Sequence, residues 1–568
     1  MFLPSTRPEM TARGWEALDV ILVSGDAYLD SPFSGVALIG RSLEAAGFRV
    51  GVIAQPDTQT IADIARLGAP RLFWGVTAGC VDSMVANYTA TGRKRREDDF
   101  TPGGVNDRRP DRACLAYANL IRRAFRPCAP IALGGIEASL RRIAHYDFWS
   151  DTVRRALLFD AKADLLVYGM AEATVLELAR RLRDGRDWHD LRGICFAAKD
   201  APVDAIVLPA YEEVAGRVDS ARAAFLEMFR LFAANQDPVT AKPLAQRHST
   251  RWLVHQPPAP LPDSAELDRL HALPFELDVH PHDAARGPVR ALDTIRFALT
   301  THRGCYGECA FCAIAMHQGR QVVSRSADAI MAEAARFARH PKFRGILADV
   351  GGPTANMYGI ACARAATRGA CPNRHCLFPD ICPHLAVDHR PQTALLRRLR
   401  ALPGVRKAFV ASGLRHDMVL ADRAHGQEYL EELVAHHVSG QLKLAPEHSE
   451  ESVLQLMRKP GVKKLLAFRA RFLEASARRG LKQFLTYYFI AAHPGCTEAQ
   501  MQHVRQFAAR ELGLLPEQVQ VFTPTPSTWS TAMYWTERDP ETGQSLFVEK
   551  GARARQAQKD ALTAAARR

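Results

Sequence analysis

The chain holds twelve cysteines, and seven of them fall between residues 305 and 382. The first three, Cys305, Cys309 and Cys312, stand at C-x3-C-x2-C spacing within THRGCYGECAFCAIAMHQGR. Thiolates so close together hold zinc or iron, and either site ordinarily takes four ligands. Three arrangements satisfy that demand. A zinc site shows paired C-x2-C knuckles and a matching fourth ligand, and His302 and His317 are oddly spaced for that role. A ferredoxin-type redox site adds a fourth cysteine. The third arrangement leaves one iron open, for a small molecule to chelate.

The other four clustered cysteines, Cys362, Cys371, Cys376 and Cys382, follow a C-x8-C-x4-C-x5-C pattern. Their surroundings, TRGACPNRHCLFPDICPH, are loop-like, with prolines and few apolar residues to build a core. Such a loop needs a staple, and a metal serves. Four thiolates bind zinc structurally or carry a second iron–sulfur cluster, with His375, His384 or His389 able to replace one ligand. Free thiols are the plain alternative. Cys80, Cys114, Cys128, Cys195 and Cys496 are scattered singly and read as small buried hydrophobes. A cytoplasmic location is expected, where thiols stay reduced. The first residues lack a signal peptide's charged-then-apolar order, and no apolar run nears the roughly 18 residues that span a bilayer.

The 568 residues suffice for two or three domains. An apolar content of 47% against 24% charged residues excludes a disordered chain. The net charge of +13 permits a nucleic-acid partner. Part of it sits in the tail from Glu549, which carries six cations and two anions and no interleaved aromatic residue for base stacking. That tail reads equally as a solvated basic extension.

The elements that must position the cysteines alternate strand and helix. Over residues 1–190, short apolar runs such as DVILVSG and RVGVIAQP flank helical patterns such as GVALIGRSLEAAGF. This predicts a Rossmann-like, mainly parallel sheet, with no G-x-G-x-x-G fingerprint for a dinucleotide. The charge run RKRREDDFTPGG (93–104) reads as an exposed loop. Residues 191–289 read as a connector, with a helix near 220–235 and a proline-rich linker, HQPPAPLPDSAELDRLHALP. From 290 to 530 six strand–helix steps are expected, with strands near 295–301, 344–350, 407–412, 441–446, 484–490 and 518–524. Ser326 is placed to cap the helix at 326–339. Six such steps curl into a partial (β/α)6 barrel whose active face lies at the strand C-termini. The cysteine-rich insertion spans 360–390, and 531–568 form a C-terminal extension.

The C-x3-C-x2-C motif, with Phe311 before its last cysteine, resembles the signature of the radical SAM superfamily. The resemblance implies a [4Fe-4S] cluster on Cys305, Cys309 and Cys312, with S-adenosylmethionine (SAM) chelating the remaining iron. Reductive cleavage of SAM then yields a 5′-deoxyadenosyl radical, chemistry the cofactor supplies. DVGGPTANMYG, SGLRHD, LAPEH and HPGC resemble one subgroup, the YgiQ family. So do SGDAYLDSPFSGVALIGRSLEAAGF and LGGIEASLRRIAHYDFWSD, so the likeness covers nearly the whole chain.

By that resemblance Gly351 and Gly352 lie against SAM, and Pro353 stands where a glutamate is common, which favours carbonyl contacts. Ser412, Arg415 and Glu447 are candidates for its carboxylate and ribose, with His448 and His493 as further candidates. A reductant such as a flavodoxin or ferredoxin is implied, and the substrate is left open. The first unit's shape also resembles cobalamin-binding domains, but the D-x-H-x-x-G signature is absent. The competing reading is a non-catalytic zinc or iron–sulfur protein that contacts RNA through its basic surface.

Overall fold

The computed structural model describes residues 1–372 and 374–563. The chain divides into two compact units, Met1–Leu261 with Arg269–Arg296, and Pro262–Asp268 with Phe297–Arg568.

The first unit is built on a nine-stranded sheet. Its strands are β1 (Val20–Ser24), β2 (Val50–Ala54), β3 (Phe73–Thr77), β4 (Ile131–Gly134), β5 (Leu165–Val167), β6 (Ile194–Ala198), β7 (Ile206–Leu208), β8 (Leu244–His248) and β9 (Arg251–His255). Their order across the sheet is β7-β8-β9-β6-β5-β4-β3-β1-β2. From β2 to β5 every pairing is parallel, with Val20 beside both Val50 and Phe73. β1 and β2 are buried at every position. This is why they read as unbroken apolar runs rather than alternating ones. Helices α1 (Gly35–Ala45), α2 (Ala113–Ala124) and α3 (Glu172–Arg183) connect these strands. α1 ends just before Gly47, whose φ of 88° suits glycine.

The stretch read as a connector instead adds four strands to this sheet. β6 runs antiparallel to β5 and β9, β9 antiparallel to β8, and only β7 and β8 pair in parallel. Polar residues disguise them in the sequence. Gln246, His248 and His255 are buried, and Gln246 satisfies its amide by accepting from the Ala144 N–H and donating to the Pro209 carbonyl. The helix expected near 220–235 is α4 (Asp219–Ala234). Within the proline-rich passage a further helix forms at Ser264–His271. The charge run is exposed through Glu97, but Asp98 turns inward and pairs with Arg109.

The second unit carries short strands that follow one another in chain order. They are β10 (Leu299–Thr300), β11 (Ile346–Leu347) and β12 (Val350–Gly351), β13 (Lys407–Ala408), β14 (Gln441–Glu447), β15 (Phe484–Ala491) and β16 (Gln518–Val521). β10 pairs in parallel with β12, β11 with β13, β14 with β15 and β15 with β16. A parallel bridge from Leu414 to Leu444 joins the third strand segment to β14. Between them lie α5 (Ala327–Ala338), α6 (Arg390–Ala401), α7 (Gly426–Glu432), α8 (Val462–Arg478) and α9 (Glu498–Phe507). Ser326 caps α5, its Oγ accepting from the Ala329 N–H at 3.2 Å.

The basic tail is not a free extension. It forms α10 (Ala552–Thr563), with Arg555 and Gln558 buried. The Arg555 guanidinium donates to the Phe522 carbonyl, and Gln558 accepts from the Ala492 N–H at 2.9 Å. A tail rich in charge still docks when its arginine finds a backbone acceptor and lays its stem along the core. The last residues of that tail, 564–568, lie outside the described residues.

Candidate active site

The loop carrying Cys305, Cys309 and Cys312 leaves β10 through a sharp turn. Gly304 adopts a φ of 81°, and a Cβ there would lie 1.8 Å from the Gln321 carbonyl oxygen, so no other residue fits. The Gly307 N–H donates to Cys305 Sγ at 3.3 Å, and Thr354 Oγ1 lies 3.4 Å from the same sulfur. The middle of the loop is pinned by backbone bonds, Ala310 N–H to the Met457 carbonyl and Ser530 N–H to the Ala310 carbonyl. Cys312 N–H donates to the Cys309 carbonyl at 3.0 Å. The thiols keep some exposed surface yet are densely surrounded. Burial first, then the neighbouring Cys309, pushes Cys312 up to about 12, and burial also raises Cys305.

Arg415 approaches this loop from the segment after β13. A Cβ built on Gly307 would lie 3.2 Å from Cys305 Sγ, 3.5 Å from Arg415 Nη1 and 3.6 Å from Cys309 Sγ. The bare glycine is therefore where thiols and guanidinium converge. Arg415 Nε and Nη2 grip Asp417 at 2.8 and 2.6 Å, while the buried Nη1 has no hydrogen-bond partner among the described residues. Burial opposes charge on this guanidinium, but Asp417 and the two thiols outweigh it and raise its pKa. The same pairing holds the buried Asp417 carboxyl well below the usual carboxylate range.

The backbone at Arg415 is held in turn by Asn356, whose Oδ1 accepts from the Arg415 N–H and whose Nδ2 donates to its carbonyl. Asn356 Nδ2 also lies 3.1 Å from His389 Nε2, and His389 Nδ1 lies 2.9 Å from Asp422. This chain of buried polar groups fixes one arginine.

The remaining sequence candidates divide. Glu447, at the end of β14 with a φ of 70°, lies near Lys459 (3.8 Å) and close enough to Cys312 to act on its charge. Burial raises its carboxyl. Gly351 packs against Ser412, where a Cβ would lie 3.4 Å from Oγ. Ser412 itself donates to Asp349, which also accepts from the N–H groups of Ala411 and Ser412. Its hydroxyl is thus spent on the strand end. Gly352 makes room for His302, whose Nε2 would be 2.6 Å from a Cβ there. Pro353 follows, half-buried.

His448 and His493 are wholly buried and internally bonded. His448 Nδ1 accepts from the Glu450 N–H, and His493 Nε2 lies 2.7 Å from Ser530 Oγ. Burial lowers their pKa values to about 3 and about 4, which keeps them neutral. Asp349, Asn356 and Asp417 were missed by sequence reasoning although each lies inside a motif already singled out. Their partners are dozens of residues away or hidden by burial, and spacing does not reveal them.

Tyr306, next to Cys305 in the chain, lines the cavity of the second cysteine set. Cys362, Cys371, Cys376 and Cys382 line one partly open cavity of ≈ 80 Å³. Among the described residues, no three His, Cys, Asp or Glu side chains converge so as to hold one metal ion.

Comparison with known proteins follows this geometry. Residues 2–298 match the model for the radical SAM N-terminal family, and residues 299–508 match the radical SAM superfamily. A UPF0313 protein of Fusobacterium nucleatum is 51% identical over 99% of this chain and 98% of its own length. This chain belongs to the UPF0313, or YgiQ, family. A UPF0313 protein of Thermotoga maritima is 48% identical over the same shares. Among solved structures, the radical SAM methyltransferase TsrM of Kitasatospora setae, with cobalamin and a [4Fe-4S] cluster bound, aligns at a TM-score of 0.48. It is 14% identical, over 90% of this chain and 77% of that one.

The UPF0313 protein described here is a radical SAM enzyme, with a [4Fe-4S] cluster and SAM as its cofactors. The reading as a non-catalytic metal protein is set aside on that ground. No helix among the described residues is long and apolar enough to cross a membrane.

Proposed function

We propose that Cys305, Cys309 and Cys312 hold the cluster at the open end of a partial barrel formed by the six successive strand segments. SAM is read as lying across Gly351–Pro353, with Arg415 and Glu447 reaching it and Ser412 shaping the floor. The observation that carries this reading is the buried Arg415 Nη1, unpartnered among the described residues and within reach of the cysteine loop. A buried N–H left without an acceptor costs about 1–3 kcal/mol, so it is kept where an anionic group will take it. A SAM carboxylate or a sulfur of the cluster meets that need.

When the cofactors are bound, one-electron reduction of SAM supplies a 5′-deoxyadenosyl radical. The protein's own part is to exclude water and to orient the reactants. The cysteine loop is tied down at Ala310, and Asp417 with Asn356 fixes the direction in which Arg415 donates. His448 and His493 remain neutral supports for the strand ends. A flavodoxin or ferredoxin is the proposed electron donor, and the substrate is a molecule that yields a hydrogen atom or accepts a radical at this face.

The test is anaerobic reconstitution with iron and sulfide, then dithionite and SAM, assayed for 5′-deoxyadenosine. Alanine at any one of Cys305, Cys309 or Cys312 is expected to abolish the product. Product formed at the wild-type rate by any of these variants would overturn the assignment.

A further inference from the structure

The cavity lined by Cys362, Cys371, Cys376 and Cys382 has none of Cys305, Cys309, Cys312 or Arg415 among its lining residues. Cys382 is buried, in a small apolar cluster with Tyr306, Met357, Leu377 and Leu385, and Cys362 and Cys376 pack against that cluster. The insertion shares this core with the cysteine loop, since Val322 and Met418 belong to the same cluster and Cys305 packs against it. Cys376 lies close enough to Cys362 and Cys382 for their charges to interact. The Cys382 N–H donates to the Cys376 carbonyl at 2.8 Å, which folds the last two cysteines back on each other.

Two features of the cavity bear on what it holds. All four cysteines line one common cavity. Four thiolates are the full protein ligand set of a [4Fe-4S] cluster, and zinc is the competing occupant that the test below separates from it. The wall is also cationic, since Arg320, Arg364 and Arg374 line it. Arg320 donates to the Cys371 carbonyl and pairs with Glu308 at 2.9 Å. Four thiolates on a cubane leave a net anion, and arginines at its edge offset that charge.

We propose that these four cysteines ligate a second [4Fe-4S] cluster, fully protein-bound and closed to SAM. It staples the insertion to the back of the Cys305 loop through Tyr306, whose hydroxyl donates to the Ile360 carbonyl at 3.2 Å. The assignment is independent of where SAM lies.

The test uses the full chain, reconstituted anaerobically with iron and sulfide, with the Cys305→Ala, Cys309→Ala and Cys312→Ala changes combined. That variant is expected to keep half the wild-type iron and sulfide and, after dithionite reduction, a cluster EPR signal that SAM leaves unchanged. A second variant, Cys376→Ala with Cys382→Ala, should lose half the iron while keeping the SAM-responsive signal. Iron-free triple variant protein, unchanged iron in the double variant, or zinc without sulfide at this site would each overturn the proposal. Loss of the SAM response in wild-type protein, with the triple variant's cluster intact, would instead sink the reading of the first site. Alkylation mapped by mass spectrometry is a companion measurement. Reconstitution should shield Cys362 and Cys376 from iodoacetamide, and equal labelling with and without iron would count against the site.

Discussion

The carboxyl ends of the strands are treated in opposite ways in the two units. In the first, the end of the parallel sheet is filled by the protein's own charges. Arg109 is buried and pairs with Asp26 at 2.7 Å and Asp98 at 3.0 Å. Glu137 accepts from the N–H groups of Ser83 and Cys114, and Arg141 pairs with Asp82. In the second, the corresponding ends present thiols and Arg415 Nη1, which is unpartnered among the described residues. Parallel sheets offer a ligand crevice at this edge in both cases. Charges paired in this way read as scaffold, and the edge that leaves a guanidinium N–H waiting is the one proposed above as the site.

The sharpest way to break this contrast is to delete a cysteine. Cys309→Ala should reduce 5′-deoxyadenosine to background while leaving the urea unfolding midpoint of the metal-free chain unchanged. A large fall in that midpoint would mean the loop is structural. The opposite result is expected at Arg109→Met, which strands two buried carboxylates. Its cost is about 3–5 kcal/mol in chemical denaturation, with the SAM-responsive EPR signal retained in the folded fraction.

Arg415→Lys keeps the charge but loses the fork that holds Asp417 and donates to the ligand. The expected loss is about 1.5–3 kcal/mol in SAM binding, roughly ten- to a hundredfold, read as a raised KM for SAM. An unchanged KM would return Arg415 to the scaffold class.

The mildest probe is acid. Burial lowers His302, His416 and His493 to about 4 from an ordinary 6.5. Groups whose folded pKa is depressed stabilise fully above the unfolded value, and that contribution is lost as pH falls through 6.5 toward about 4. Each should therefore cost about 1 kcal/mol near pH ~5.5, measured as a falling denaturation midpoint. His493→Gln should flatten that slope, and an unaltered slope would show the imidazole is not held neutral.

Much of this was legible before any coordinates. The strand–helix alternation of the second unit and the Ser326 cap rest on local periodicity and spacing, and neighbouring residues alone decide them, whereas the cysteine motif took its meaning from the resemblance to a family. The antiparallel half of the first sheet was not legible, because buried Gln246, His248 and His255 break the apolar pattern that marks a core strand. Docking of α10 was hidden for the same reason, since its buried contacts are made by an arginine and a glutamine.

The amino-acid sequence by itself pointed to the family, to the cysteines proposed to hold the cluster and to the strand–helix succession of the second unit. Those follow from short-range pattern and residue type. Only the tertiary structure decided that Ser412 is committed to Asp349, that Asp417 and Asn356 aim Arg415 at Gly307, and that four cysteines up to twenty residues apart share one cavity. Each is a matter of which polar group finds a partner once water is excluded, and that outcome exists only when distant segments are folded against one another.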